Sequence, residues 1–569
     1  MKNNFLKRIK TEQTIIYILL FLTGILYYVP RFLMEGIPHY LNEDTYFHLN
    51  RVIGLRNVFH SPINYLNFAH NGPMVNIFYP WLTMYPMYLL YRLCGSYVLG
   101  YKLFYMSLSV LTIFIAYFVM DRISKNKVSS FIFAIIYTFS AYRFINLFRR
   151  AHLGESISMT ALLFVLLGLY NISFGDHKNW GSLTVGMALI AYSHNLFLVT
   201  TSGIIIFFLL ISFWFWNDKT PRLISFAKAA FTAIAFSAAS FIPILQYMKT
   251  NQLYTPGGSG EGLQDTAYPI WTIIDKSIRN QPVSYAPGFL VAAALVSLIM
   301  FYLTNLLKKG TFERNRGIDC FAAAGMIIFL SASNLLPWKF IGDHTPLYII
   351  QFVWRLNAHS TIFILAAFSF YLPRFLRTKK IEAMVSALII LLSLFLHFSA
   401  ILTLHKEENT RIFEAEISSG DAITFDYAAL QAKEYRNLHG YAMDDVLLEG
   451  IPVGTDISYS KDGTTYTALI NTPSDGKSLL SVDIPVFRYA NQICMLNGEP
   501  TNTVMSERGG IMLKIPSGEM NQITISCRHT GLTYFSWIFS LAAGILFLCF
   551  HIFKPGNNSR KNPFAAVDL

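Results

Sequence analysis

Long apolar runs separated by short basic loops set the pattern of residues 1–403, and one further run stands near the end of the chain. Runs near 13–29, 98–120, 128–146, 156–174, 180–195, 197–216, 223–247, 286–306, 318–336, 357–373, 381–403 and 532–552 hold 16 to 25 residues each. That is enough for a helix to cross a hydrocarbon core about 30 Å thick. The first run, "TIIYILLFLTGILYYVP", has no small-residue cleavage site after it and reads as a retained anchor. The piece "PWLTMYPMYLLYRLC" has two prolines and a short apolar core, which predicts a helix lying along the interface. Lys2, Lys7, Arg8 and Lys10 place the amino terminus in the cytoplasm, and the loops "DRISKNK", "NDKTPR", "KKGTFERNR" and "PRFLRTKK" then fall on the same side. The pattern predicts about 12 transmembrane helices with both termini inside.

Four segments are left outside: 30–97, 248–285, 337–356 and 404–531. The last is too long for a loop. Its hydrophobic period changes to two in "TTYTALINTP", "LLSVDIPVF", "QICMLNGEP", "GIMLKIPSG" and "QITISCRH", and Asn497-Gly498 between two apolar runs signals a hairpin. The expected organisation is a helical membrane unit (1–403, with 30–97 as its first external loop), a small extracytoplasmic β-sandwich (404–531), and a last helix with a basic tail (532–569).

Composition agrees with this class. Hydrophobic residues make up 53% of the 569 positions and charged residues only 14%, against about a quarter in soluble domains. The net charge of +12 sits in short loops, as orientation signals do, and no nucleic-acid motif accompanies it. Five cysteines show no metal-ligand spacing. Cys494 and Cys527 are free to pair if their segment lies outside the cytoplasm, a point the sequence leaves open.

Candidate chemistry collects at one membrane level. "LNEDTYFHLNR" carries Glu43, Asp44, His48 and Arg51; spacings of four and three put Asp44, His48 and Arg51 on one helical face. A helix starting at Leu41 or Asn42 would have both acids in its first turn, where they would also complement the dipole. "FRRAHLGES" brings Arg149, Arg150, His152 and Glu155, "YSHN" brings His194, and "IIQFVWRLN" brings Arg355, all at external helix ends. A carboxylate there suits a general base, and arginines suit a phosphate as leaving group or lipid headgroup. Nucleotide donors are cytoplasmic, and the chain has no P-loop or dinucleotide fingerprint.

With its many spans, an acidic pair in the first external loop and an external carboxyl-terminal domain, the chain resembles the GT-C glycosyltransferases. Within that group, "EDTYFHLNR", "RRAHLGES", "YSHN", "IIQFVWRLN", "LNGEP" and "GGIMLKIPSGE" look like the YfhO-type bacterial membrane proteins, including those labelled pyruvoyl-tetrahydropterin synthase-related. The pterin label would imply a soluble enzyme with a metal-binding histidine set, which the sequence lacks. The resemblance implies an inverting transfer from a polyprenyl-phosphate-linked sugar donor to a cell-surface polymer or glycolipid, at the outer face of the plasma membrane among its lipids. It implies Asp44 as catalytic base beside Glu43, with His48 and Arg51 orienting the carboxylate or touching the donor. Arg149, Arg150 and Arg355 would take the carrier phosphate, while His152, Glu155 and His194 line the cavity. No second acidic motif is visible, so no metal ligand is assigned and a divalent metal stays open. Two other classes fit the composition: a flippase for a lipid-linked saccharide, and a non-catalytic envelope-assembly protein.

Overall fold

A computed structural model of the chain describes residues 2–40, 44–255, 262–281, 284–308, 313–342, 345–376, 378–407, 410–448, 454–473 and 479–552. Among them, nine helices are long and apolar enough to cross a membrane: Glu12–Leu33, Tyr97–Ser124, Leu153–Ser173, Asn195–Phe215, Lys219–Thr250, Phe289–Leu307, Val353–Phe375, Lys379–Lys406 and Gly531–His551. Lys127–Thr138 and Ala141–Arg149, bent by 44°, make a tenth if taken together. The chain is a multi-pass membrane protein. Lys379–Lys406 and Gly531–His551 turn Leu388, Phe395, Leu541 and Leu546 outward, an apolar exterior suited to lipid.

The pattern predicts twelve crossings, and the two others fall on shorter helices. Gly181–Ala191 has 11 residues and Arg316–Ser331 has 16. At 1.5 Å per residue they rise roughly 16 and 24 Å, less than the core thickness. The first ends at Ala191 with Tyr192 as its C-cap, and after a short turn His194 caps the next helix. The interfacial piece forms Tyr85–Cys94, ten residues ended by Gly95 in the left-handed conformation, too short to span.

The β region holds two antiparallel sheets. One runs Leu447–Leu448, Leu479–Phe487, Gly510–Pro516, Val504–Met505; the other runs Asp456–Lys461, Thr465–Asn471, Met520–Cys527, Gln492–Leu496, Glu499–Pro500. Asn497 and Gly498 link the last two strands with φ of +49° and +87°, the left-handed pair a two-residue hairpin requires. Val482, Ile484, Leu513, Ile523 and Ile525 fill a common core, as their alternation predicts. Cys494 and Cys527 are buried free thiols on neighbouring strands, with Asn491 Nδ2 3.3 Å from Cys527 Sγ.

Arg508 stitches this module together. It is 3% exposed, donates to Asp483 Oδ2 at 2.8 Å, and caps the carbonyls of Ala442, Asp445 and Asp483. Arg508→Ala is expected to cost about 3–5 kcal/mol, since Asp483 loses its counter-charge and three carbonyls lose a donor. Limited proteolysis of the full chain in detergent checks this; unchanged resistance would contradict it.

The module clasps the first loop. Ile37–His39 pairs antiparallel with Thr410–Ile412, Asn71 Nδ2 donates to the carbonyls of Met443 and Pro485, and Phe78 stacks on Tyr427 at 4.5 Å. The loop therefore lies between the helical unit and the β-rich module.

Candidate functional site

The helix from the opening segment runs Thr45–Gly54, with Asp44 as its N-cap residue. It starts later than the sequence suggests, because Asp44 is anchored from outside: its backbone N–H donates to the Arg150 carbonyl at 3.1 Å. The Asp44 side chain makes no capping hydrogen bond, so the dipole-complementing role leaves its carboxylate uncommitted. Glu43, the other acid of the pair, lies outside the described residues.

Arg150 reaches Asp44 because the chain before it underwinds. Ile145–Arg149 forms a π turn, the Arg150 N–H bonds to the Ile145 carbonyl, and Ala151 then adopts φ +51°. Such irregular backbone concentrates at functional sites. His152 caps Leu153–Ser173, its Nδ1 accepting the Glu155 N–H at 3.3 Å. Gly154 lets the neighbouring turn approach; a Cβ there would meet the Ser193 carbonyl oxygen at 2.5 Å. That contact brings His194 beside His152, ring centroids 4.7 Å apart. His194 also caps Asn195–Ser212, its Nδ1 accepting the Phe197 N–H at 2.9 Å.

Glu155 is the buried hub. It is fully inaccessible, accepts from Tyr142 Oη at 2.7 Å and Arg150 at 3.1 Å, and lies 3.7 Å from Arg355 Nε. One carboxylate balances one of these two guanidiniums and leaves a positive charge facing Asp44. Arg150 also donates to Asn146 Oδ1 and lies 4.8 Å from the Trp354 ring, itself stacked on Tyr285. Arg355 is held by Gln351 and the Ile350 carbonyl.

Two sequence candidates face elsewhere. Arg51 lies under the helix, donating to Asn76, His48 Nδ1, and the carbonyls of Tyr79 and Pro80. These bonds turn its guanidinium toward His48 and the loop rather than toward Arg150 and Arg355. Arg149 lays its guanidinium over Tyr40, 5.3 Å from the ring centroid. Adjacent in sequence, Arg149 and Arg150 part company because the π turn ends between them.

Asp44, His48 and His152 close the recess: each offers a ligand atom within 4.8 Å of the others, with Asp44 Oδ2 3.8 Å from His152 Nε2. The Asp44 side chain keeps 43% accessibility. Surrounding protein pushes its carboxyl above the usual aspartate range; Arg150 and Arg355 oppose the rise and Glu155 adds to it. Burial, reinforced by nearby guanidiniums, drives the imidazoles of His48, His152 and His194 well below their usual range, so they are neutral near pH 7. Asp426, from the linker into the β-rich module, is pushed up to about 6 by burial and by the charge of Asp44. Sequence reading missed it, since a lone acid in "TFDYAAL" carries no motif.

These directions set a pH profile. A base must be ionised, and a carboxyl raised above the usual range is protonated sooner on acidification. Activity that depends on Asp44 is expected to fall on an acid limb centred above about pH 4, while the depressed histidines add no limb near about 6.5. The pH dependence of kcat/KM checks this; a limb at or below an ordinary aspartate value would contradict it.

No family model matches the chain, and no curated protein matches it. Two solved structures are similar to parts of it. The cryo-EM structure of the arabinofuranosyltransferase AftD from Mycobacteria shares 14% identity at a TM-score of 0.39, over 70% of this chain and 27% of that one. ArnT from Cupriavidus metallidurans, crystallised bound to undecaprenyl phosphate, shares 10% identity at a TM-score of 0.37, over 72% of this chain and 75% of that one.

Proposed function

We propose that the chain is an integral-membrane glycosyltransferase. It moves a sugar from a polyprenyl-phosphate carrier to a hydroxyl of a cell-surface polymer or glycolipid, with the recess facing outside the cytoplasm. The observation that carries this reading is the uncommitted Asp44 carboxylate, raised in pKa and set beside the Arg150–Glu155–Arg355 cluster.

The chemistry follows from what each group can do. Asp44 takes the proton of the acceptor hydroxyl as its oxygen attacks the anomeric carbon. The bond to the carrier phosphate breaks from the opposite face, so the configuration inverts. The phosphate leaves as an anion and needs no proton; the unbalanced positive charge of the arginine cluster stabilises the charge it gains. The Trp354–Tyr285 stack offers an aromatic wall against which a sugar face or prenyl chain packs. Purified protein incubated with short-chain polyprenyl-phosphate sugars and cell-envelope acceptors should give a glycosylated product of inverted configuration. Absence of product across a panel of donors, with the donors shown to bind, would refute the reading.

A flippase reading draws on one observation. Arg143 is fully buried at the bent helix pair, held by Thr112 and Thr160, as a polar site in a broken span would be. Only one such bent pair occurs among the described residues, whereas that class builds its site from paired broken helices.

A further inference from the structure

Asp44, His48 and His152 have the number and spacing of a divalent-metal centre. The hydrogen bonds behind the rings decide whether an ion fits. An imidazole ligates through a nitrogen that carries no proton, and its other nitrogen then carries the proton and donates it to an acceptor. Here the second nitrogen of every ring faces a donor. His48 Nδ1 receives Arg51 at 3.3 Å, and a guanidinium has no acceptor. His152 Nδ1 receives the Glu155 backbone N–H at 3.3 Å, and His194 Nδ1 receives that of Phe197 at 2.9 Å. Neutral rings held this way carry their single proton on Nε2. His48 Nε2 is buried without a hydrogen-bond partner among the described residues, and His152 Nε2 points toward Asp44.

A cation at Nε2 would meet a proton. Turning the rings over would break both helix caps and set a protonated Nδ1 against a backbone N–H or a guanidinium. The residues do not fit a metal ion. They fit an oxygen acceptor.

We infer that the recess is a metal-free oxyanion site in which the Nε2–H groups of His48 and His152, backed by His194, donate to a phosphoryl oxygen of the lipid-linked donor. This rests on the glycosyltransferase reading for the identity of the ligand, but the tautomers rest on the hydrogen bonds alone. Two neutral N–H donors beside Arg150 bind a phosphate without adding fixed charge next to the base. Arg51, though remote from the ligand, sets the His48 proton on the correct nitrogen.

The test uses the full-length protein in detergent with ¹⁵N-labelled histidine. Two-bond ¹⁵N–¹H correlation spectra should show three rings protonated at Nε2 and bare at Nδ1, assigned through His48→Gln, His152→Gln and His194→Gln. Zn²⁺ or Mn²⁺ should leave these signals in place, and no stoichiometric ion should remain after dialysis. A short-chain prenyl phosphate should shift the Nε2–H signals of His48 and His152, while the matching prenol should not. Inorganic phosphate alone tells whether the lipid is needed: a shift matching that of the prenyl phosphate means the anion suffices, and a weaker one means the chain contributes; either supports the donor site. His48→Phe should weaken prenyl-phosphate binding about tenfold, and His48→Gln, which keeps an N–H donor, should restore most of it. Nδ1-protonated rings, one equivalent of metal lost in His152→Gln, or no shift with prenyl phosphate would each overturn the inference. None of these readouts needs turnover, so a failure to detect sugar transfer strikes the function and leaves the tautomers standing.

Discussion

Asp44→Asn is expected to lower sugar transfer by about 10²–10⁴-fold, the usual range for a positioned general base. Stability should barely change. The Asp44 side chain makes no cap hydrogen bond, stays partly accessible, and already lies at some cost beside protein that disfavours its charge. Its one firm anchor is the backbone N–H to Arg150, which asparagine keeps. The isosteric amide fills the same space but accepts no proton. Transfer rate and melting temperature, measured together in detergent, separate the possibilities: lost transfer at an unchanged melting temperature is the predicted result. Transfer within about threefold of wild type would remove Asp44 from the base role, because a positioned base contributes far more than that.

Glu155→Ala has the largest expected effect on stability. Glu155 is fully buried, and its removal leaves Arg150 and Arg355 without the carboxylate that both contact and Tyr142 without an acceptor. Breaking a buried pair from one side costs about 3–5 kcal/mol, mostly through the charge left behind. Glu155→Gln should fall between, since an amide still accepts from Tyr142. Adding Arg150→Ala to Glu155→Ala should recover part of the loss by removing one stranded cation. Thermal unfolding of the three variants in one detergent checks the order; a double variant no more stable than Glu155→Ala would argue against charge as the cause.

Much of this site is legible in the sequence because it is local. Spacings of four and three place Asp44, His48 and Arg51 on one helix, and Asn497-Gly498 announces its own hairpin. What a helical face points at is a tertiary matter. Arg51 looks like a cavity residue until residues 76–80 fold back beneath the helix and take its donors. Arg149 and Arg150 look interchangeable until a π turn sends one to Tyr40 and the other to Glu155. His194 satisfies both readings of a helix-end histidine at once: Nδ1 caps the helix, and the ring faces His152. Asp426 is invisible in sequence because only the clasp of the β-rich module carries it near Asp44. Two of the twelve expected crossings fall on helices of 11 and 16 residues, because hydropathy counts apolar residues but not where a helix ends.

The glycosyltransferase account and the flippase account part on one measurement. Purified protein is reconstituted into sealed proteoliposomes with a radiolabelled polyprenyl-phosphate sugar in the bilayer and a hydroxyl acceptor outside. The label and the lipid phosphate are then followed separately. The account predicts that label moves to the acceptor while free polyprenyl phosphate accumulates in equal amount, and that Asp44→Asn stops both. Donor that crosses the bilayer with its sugar still attached, at the same rate in wild type and Asp44→Asn, would contradict it.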